Sequence, residues 1–155
     1  MKAFYAGSFD PFTIGHYSIA LRALEMFDHL FIAVGKNENK KGEYTTDERV
    51  RIIKELFRGN EKVTVMAYDG LTAVSAKENG AGVLVRGVRN SLDFEKEKEL
   101  ADINLKVMGM PTVMIPADPE LSFVSSSMIR ELNHFGFNTE NFLPGNKEKI
   151  NKCNK

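Results

Sequence analysis

The stretch KAFYAGSFDPFTIGH, residues 2–16, decides how the chain begins to fold. Residues 2–6 form a short apolar run that stops at Gly7, a pattern typical of a buried strand. The Asp10-Pro11 pair that follows predicts a loop. From residue 15 to residue 27, apolar side chains recur at helical spacing. The chain is therefore predicted to open with a strand, a loop and a helix.

The same alternation of strand and helix repeats along the rest of the chain. Short apolar strands separated by helices predict a parallel sheet covered on both faces, with right-handed crossovers. We therefore predict an α/β fold, a single doubly wound domain over residues 1–155 with a five-stranded parallel sheet and a short helical tail from about residue 137. The further strands are predicted at residues 30–34, 63–66, 83–85 and 111–115, and the further helices at about 45–57, 71–79, 93–108 and 125–135.

Composition argues against several classes of protein. The 155 residues include 21 basic and 21 acidic side chains, and a formal net charge of zero does not suggest a nucleic acid or a membrane as partner. The single cysteine, Cys153, cannot form an internal disulfide or a cysteine-rich zinc site. The sequence shows no leader and no apolar stretch of membrane length, so we expect a cytoplasmic protein.

The loops that leave a strand and enter a helix are where an open parallel sheet binds its ligands, at the point where strand order reverses. No P-loop and no GxGxxG follows a strand, and no His/Cys cluster is spaced for a metal, so kinase-like and dinucleotide-binding interpretations lose support. Gly7 lacks a Cβ, which either lets a ligand approach the backbone or simply serves the turn. Four of the five predicted loops carry residues suited to phosphate: Gly7, Ser8 and His16; Lys36, Lys40 and Lys41; Arg86, Gly87 and Arg89; and Ser125, Ser126 and Ser127.

Each of these residues also has an ordinary structural interpretation. His16 lies at a helix start, where it can bind a phosphate or simply cap the helix. Arg86 and Arg89 suit bidentate contact with a phosphate, but surface arginines also pair with carboxylates. The serines at 125–127 offer N-cap chemistry, and Glu97 belongs to a run of alternating charges typical of a solvated helix face.

Five segments together resemble a known family. GSFDP at 7–11 and TIGH at 13–16 resemble the nucleotidyltransferase superfamily with the (T/H)xGH signature. RGVR at 86–89, DFEKE at 93–97 and SFVSSS at 122–127 resemble the phosphopantetheine adenylyltransferase branch of that superfamily. The resemblance covers nearly the whole chain and implies a Rossmann-like nucleotidyltransferase fold.

The resemblance implies a reversible transfer of the adenylyl group of ATP to 4′-phosphopantetheine, giving dephospho-coenzyme A and pyrophosphate in coenzyme A biosynthesis. The acceptor phosphate would attack the α-phosphorus in line, with Mg²⁺ as cofactor. Because that phosphate is already charged at pH 7, positioning and charge neutralisation suffice and no general base is needed. The resemblance also implies a cytoplasmic homohexamer with coenzyme A as feedback inhibitor.

The same resemblance assigns roles to individual residues, and it assigns no protein side chain to a metal. The catalytic residues would be His16, Lys40 and Arg89. The acceptor-binding residues would be Ser8, Lys40, Thr72 and Arg86. The ATP-binding residues would be Ser8, Phe9, His16, Gly87, Val88, Arg89, Glu97, Leu121, Ser122, Phe123, Val124, Ser125, Ser126 and Ser127.

Three other functions compete with this interpretation. The acceptor could instead be nicotinamide mononucleotide or a polyol phosphate, with adenylyl or cytidylyl transfer by the same chemistry. The protein could be a nucleotide- or coenzyme-A-binding module without turnover, although such a module would not need both His16 and Lys40. A scaffold protein would tolerate the loss of His16 with no biochemical effect.

Overall fold

The fold is an α/β fold with one five-stranded parallel sheet, as the sequence predicts. The computed structural model describes residues 1–36 and 42–145. The strands are β1 (Lys2–Gly7), β2 (His29–Gly35), β3 (Val63–Tyr68), β4 (Val83–Val88) and β5 (Thr112–Pro116). The helices are α1 (Ile14–Met26), α2 (Thr46–Leu56), α3 (Thr72–Glu78), α4 (Ser91–Met108) and α5 (Ser126–His134).

The sheet is doubly wound, with the strand order β3-β2-β1-β4-β5. The chain runs outward from β1 to β3, then returns to the other side of β1 to place β4 and β5. The order of the strands therefore reverses between β1 and β4, and that reversal opens the crevice in which such sheets bind ligands.

Strand β1 is the middle strand of the sheet, and its side chains contribute to the hydrophobic cores on both faces. Successive side chains of a strand point to opposite faces. Ala3 and Tyr5 join the core beneath α1 and α2, which also contains Ile19 and Ile53. Phe4 and Ala6 join the second core, to which α3 contributes Ala73 and Ala76. With helices on both faces, β1 buries nearly every side chain it has.

Strand β4 is longer than the apolar run predicts. Arg86, Gly87 and Val88 were expected in the loop after the strand, but they continue it because they pair with Met114, Ile115 and Pro116 of β5. Backbone pairing with a neighbour thus extends the strand past its apolar residues. These three residues still lie at its carboxyl end, beside the crevice.

Helix α4 and the last described residues differ from the rest of the fold in their packing. Helix α4 has 18 residues and buries none of them. The tail predicted from about residue 137 to be helical forms a 3₁₀ turn at Glu140–Phe142, and residues 146–155, with Cys153, lie outside the described ranges.

No helix within residues 1–36 and 42–145 is long and apolar enough to cross a membrane.

Candidate active site

A cavity of about 380 Å³ lies at the carboxyl ends of β1 and β4, where the strand order reverses. Three connections meet there: the β1–α1 loop, the end of β4 with the start of α4, and the segment that leads into α5. The polar side chains lining it include Ser8, Thr13, His16, Arg86, Arg89, Asp93, Glu97, Ser125, Ser126, Ser127 and Arg130. The cavity therefore lies at the edge of the sheet where the rule about strand ends predicts a ligand site.

The turn after β1 is shaped by Phe9 rather than by room for a ligand at Gly7. A Cβ on Gly7 would lie 2.9 Å from the Phe9 ring. Phe9 has a positive φ of 50° and is buried, edge-on to Tyr5 and His16 at 5.1 Å between ring centroids. Gly7 is therefore needed to admit the Phe9 ring. The Phe9 ring belongs to the core. The predicted contact of Phe9 with ATP would therefore have to use its backbone.

His16 both caps helix α1 and lines the cavity. Thr13 is the N-cap, and its hydroxyl accepts a hydrogen bond from the backbone N–H of His16 at 3.2 Å. In return, Nδ1 of His16 accepts from the backbone N–H of Thr13 at 3.0 Å. A neutral ring whose Nδ1 accepts carries its proton on Nε2. His16 therefore keeps an Nε2–H donor for a ligand.

The surroundings of His16 keep its ring neutral. Burial, together with the smaller effect of the positive charges of Arg89 and Arg86, lowers the pKa of His16 to about 4. Since this pKa lies well below neutrality, the imidazole is uncharged at pH 7 in the free protein. The two interpretations left open by the sequence, cap and ligand contact, are compatible because they use different ring nitrogens.

Arg86 and Glu97 form a bidentate ion pair beside the cavity. Nε and Nη2 of Arg86 each donate to a carboxylate oxygen of Glu97 at 2.7 Å, and Nη1 donates to the carbonyl of Ala6. The Glu97 side chain is only 14% exposed. Glu97 therefore turns inward, and the solvated face suggested by its run of alternating charges is wrong for this residue.

A second arginine–carboxylate pair lies at the start of α4. Nε of Arg89 donates to Oδ2 of Asp93 at 2.9 Å, and Nη2 donates to Oδ1 at 3.3 Å. The Arg89 guanidinium holds the pKa of the Asp93 carboxyl below its usual value. More than a third of the Arg89 side chain remains exposed, and the residue lines the cavity.

The start of α5 closes the cavity from the other side. Ser125 is its N-cap and accepts from the backbone N–H of Met128 at 3.1 Å. The Ser126 hydroxyl donates to the carbonyl of Pro11 at 2.8 Å, which fixes the β1–α1 loop against α5. Free N–H groups at a helix start favour an anion, and the three serines at the start of α5 line the same cavity as His16 and Arg89.

Comparison with known proteins identifies the family. A family model described as cytidylyltransferase-like matches residues 4–132. The phosphopantetheine adenylyltransferase of Phocaeicola vulgatus is 46% identical over 143 residues, which are 92% of this chain and 95% of that protein. The one from Bacteroides thetaiotaomicron is 42% identical over 147 residues, which are 95% of this chain and 97% of that protein. The chain belongs to the phosphopantetheine adenylyltransferase family. It is accordingly an enzyme of the nucleotidyltransferase class.

Comparison with solved structures supports the fold assignment and nothing beyond it. A bifunctional NMN adenylyltransferase/ADP ribose pyrophosphatase from Francisella tularensis superposes with a TM-score of 0.72 at 13% identity. The alignment covers 99% of this chain and 48% of that one. The Rossmann-like nucleotidyltransferase fold expected from the resemblance is confirmed.

The cavity gathers some of the residues that the resemblance to phosphopantetheine adenylyltransferases assigned, and leaves others outside it. Those that line it are Ser8, Phe9, His16, Arg86, Gly87, Arg89, Glu97, Leu121, Val124, Ser125, Ser126 and Ser127. Those not among its lining residues are Thr72, Val88, Ser122 and Phe123. Lys40 lies outside the described residues.

The residues that miss the cavity have other contacts. The Thr72 hydroxyl is 2.9 Å from that of Tyr68 at the end of β3. Phe123 is largely exposed and packs edge-on against Phe142. The Ser122 hydroxyl donates to the carbonyl of Pro119 at 3.1 Å. Their predicted ligand contacts are therefore not supported by the shape of this cavity.

The cavity residues that sequence reasoning missed include Tyr5 and Arg130. Tyr5 was taken only as part of the apolar first strand, yet it lines the cavity, and burial raises the pKa of its hydroxyl. Arg130 also lines the cavity, and its Nη1 donates to the carbonyl of Asp10 at 2.6 Å. Its spacing of four residues from Ser126 places it on the same helix face, a signal that could have found it.

Proposed function

We propose that the protein uses this cavity to transfer the adenylyl group of ATP to 4′-phosphopantetheine, giving dephospho-coenzyme A and pyrophosphate. The observation that carries the proposal is the convergence on one crevice of the His16 imidazole, the Arg86 and Arg89 guanidinium groups and the start of α5. Together with close relatives named for this activity, this geometry favours coenzyme A biosynthesis as the role of the enzyme.

The proposed step is an in-line displacement at the α-phosphorus of ATP. An oxygen of the acceptor phosphate forms a new P–O bond as the bond to pyrophosphate breaks, and the electron pair leaves with the pyrophosphate. The acceptor is an anion, so no proton has to be removed from it. The enzyme then accelerates the reaction by alignment and by donors that stabilise the charge on the phosphoryl oxygens.

His16 supplies a neutral hydrogen-bond donor in this mechanism. Its Nδ1 is held by the backbone of Thr13, so the Nε2–H is left to donate to an α-phosphate oxygen. A donor already fixed by its own helix cap does not have to reorganise as the reaction proceeds, which is what makes such groups effective.

The arginines supply the positive charge. Arg89 is held by Asp93, and Arg86 is held by Glu97 and the Ala6 carbonyl, with two of its five N–H donors left for a ligand. We propose that Arg89 and the serines of α5 bind ATP phosphates while Arg86 and Ser8 bind the acceptor phosphate. The assignment of Lys40 to the acceptor remains a prediction from the resemblance.

Mg²⁺ is proposed to enter with ATP. The described residues contain no group of three or more His, Cys, Asp or Glu side chains suited to a metal. The carboxylates that line the described cavity, Asp93 and Glu97, are paired with arginines. A cavity whose carboxylates are already paired suits Mg²⁺, because this ion keeps several waters and binds largely through substrate phosphates. The ion would offset the charge of the departing pyrophosphate.

We further propose a cytoplasmic homohexamer that coenzyme A inhibits by competing for the same cavity. The support for self-association is α4, whose apolar side chains are exposed: Leu100 is 52% exposed, Ile103 55% and Val107 72%. Residues spaced by three and four share one helix face. Apolar faces of this kind are typical of interfaces between proteins.

A panel of acceptors tests the proposed function. Purified protein, ATP and Mg²⁺ are incubated separately with 4′-phosphopantetheine, nicotinamide mononucleotide and a polyol phosphate, and pyrophosphate release is measured. We expect release with 4′-phosphopantetheine and dephospho-coenzyme A as the product by mass spectrometry. Release only with another acceptor would replace the proposed substrate, and tight nucleotide binding without any release would indicate a binding module.

A further inference from the structure

Arg49 of α2 is a buried cation that does not belong to the cavity lining. It is 7% exposed, and no ion pair found within residues 1–36 and 42–145 includes it. A buried charge is costly unless hydrogen bonds compensate it. The hydrogen bonds of Arg49 must therefore compensate for the burial of its charge, and their partners indicate its structural role.

The Arg49 guanidinium joins two connections of the fold. Its Nη1 donates to the carbonyl of Ser8 in the β1–α1 loop and, at 3.4 Å, to that of Gly35 at the end of β2. Its Nε donates to the carbonyls of Tyr44 at 3.2 Å and Thr45 at 3.3 Å, just before α2. One planar group thus fixes the Ser8 backbone to both described ends of the β2–α2 connection.

Asp10 makes a second link between the same two connections. Its Oδ2 accepts from the backbone N–H of Glu43 at 2.9 Å and its Oδ1 from that of Tyr44 at 3.0 Å. Asp10 is 7% exposed. A Cβ on Gly42 would come within 2.3 Å of the Asp10 carboxylate, so the backbone packs directly on this side chain.

We propose that Arg49 is a positioning residue for the acceptor phosphate, acting through the Ser8 backbone, which it ties to Gly35 and to Tyr44 and Thr45; this inference rests on the proposed function. A lysine cannot replace it, because a single ammonium lacks the planar fork that reaches several carbonyls at fixed angles. Arg49 touches no reacting atom. Its effect is to hold the Ser8 backbone in register with the end of β2.

Apart from Ser8, which the resemblance assigns to both substrates, the main residues proposed for ATP are held by other contacts. His16 is fixed by Thr13, Arg89 by Asp93, and the serine segment by its own N-cap and Pro11. None of these contacts passes through Arg49. A displacement of about 1 Å at a substrate-positioning group can cost on the order of 10²-fold in rate. Loss of the Arg49 fork should therefore weaken use of the acceptor much more than use of ATP.

The test compares Arg49→Lys with Arg51→Lys, since Arg51 is exposed on the same helix. KM for 4′-phosphopantetheine, KM for ATP, kcat and Tm are measured for wild type and both variants. We expect Arg49→Lys to raise the acceptor KM by at least about tenfold and the ATP KM by less than about threefold, in line with local misplacement of one binding group. Arg51→Lys should match wild type in all four quantities.

The other outcomes each decide the matter. A lower Tm with both KM values unchanged, or equal changes in the two KM values, would show a merely structural role and overturn the inference. If Arg49→Lys does not fold, Asp10→Asn, which replaces one of the two carboxylate oxygens that accept from the Glu43 and Tyr44 backbone N–H groups, is judged by the same criteria. Absence of turnover by wild type would instead reject the proposed function, and the inference with it.

Discussion

The two ring nitrogens of His16 have different tasks at the residue scale. Nδ1 completes the cap of α1 by accepting from the Thr13 backbone, and Nε2–H remains for the ligand. The cap fixes the tautomer and the orientation of the ring before any substrate binds. Burial and two nearby arginines keep the ring neutral, so it acts as a donor rather than as a cation.

The titration of His16 can be measured directly. We expect its NMR resonances to titrate with a midpoint near 4 and to show the Nε2–H tautomer at pH 7. The unfolded chain binds a proton near pH 6.5 and the folded chain only near pH 4, so acidification through this window favours unfolding. His16→Gln should therefore make the fall in stability between pH 6.5 and 4 shallower. A midpoint at or above 6.5 would contradict this description.

The Thr13 hydroxyl is expected to stabilise the fold and to orient His16. Thr13→Val removes the acceptor for the His16 backbone N–H, and loss of such a cap costs about 1 kcal/mol. Urea unfolding checks this value. Asn60→Ala is the control, because Asn60 Oδ1 likewise accepts from a backbone N–H, that of Lys62 at 3.1 Å, and Asn60 is not among the residues that line the cavity. Both variants should lose stability, but only Thr13→Val should lower kcat; an equal kcat in the two variants would refute the orienting role.

The turn between β1 and α1 is decided at the element scale by the fit of one ring. Gly7→Ala would place a methyl group 2.9 Å from the buried Phe9 ring, which has little room to move. Overpacking of this kind typically costs about 1–3 kcal/mol. Gly145→Ala is the control, since a Cβ there meets nothing within 4 Å. Urea unfolding should show the loss for Gly7→Ala alone, and equal stability of the two variants would mean that the ring yields freely.

Much at the element scale could be predicted from the sequence. The apolar runs locate all five strands, and the rule about strand ends places His16, Arg89 and the serines before α5 at one edge of the sheet. These predictions succeed because they depend on local periodicity and on a general property of parallel sheets.

The remaining features depend on contacts between distant parts of the chain. Glu97 turns inward because it meets Arg86 from a different element, and its local run of charges carries no sign of that. Arg49 bonds to backbone carbonyls, which leave no signature in the sequence. Glycine is required at position 7 because a Cβ there would meet the Phe9 ring, and the position of that ring follows from packing alone.

The exposed face of α4 bears on the whole molecule. We expect light scattering to give a mass near six times the 17.4 kDa of the chain. Leu100→Glu with Val107→Glu should lower that mass, because two charges would be buried in an apolar contact. Lys54→Glu, exposed on α2, is the control and should leave the mass unchanged. A monomeric wild type, or a double variant of unaltered mass and intact circular dichroism, would contradict this use of α4.

The most direct test of the whole account is the steady-state rate of pyrophosphate release from ATP and 4′-phosphopantetheine by wild type and by His16→Ala, with Tm recorded for both. Removal of one preorganised donor typically lowers kcat by about 10²–10³-fold. We expect a loss of that size in a variant that remains folded. A folded His16→Ala protein that releases pyrophosphate as fast as wild type would show that the chemistry does not take place at this imidazole.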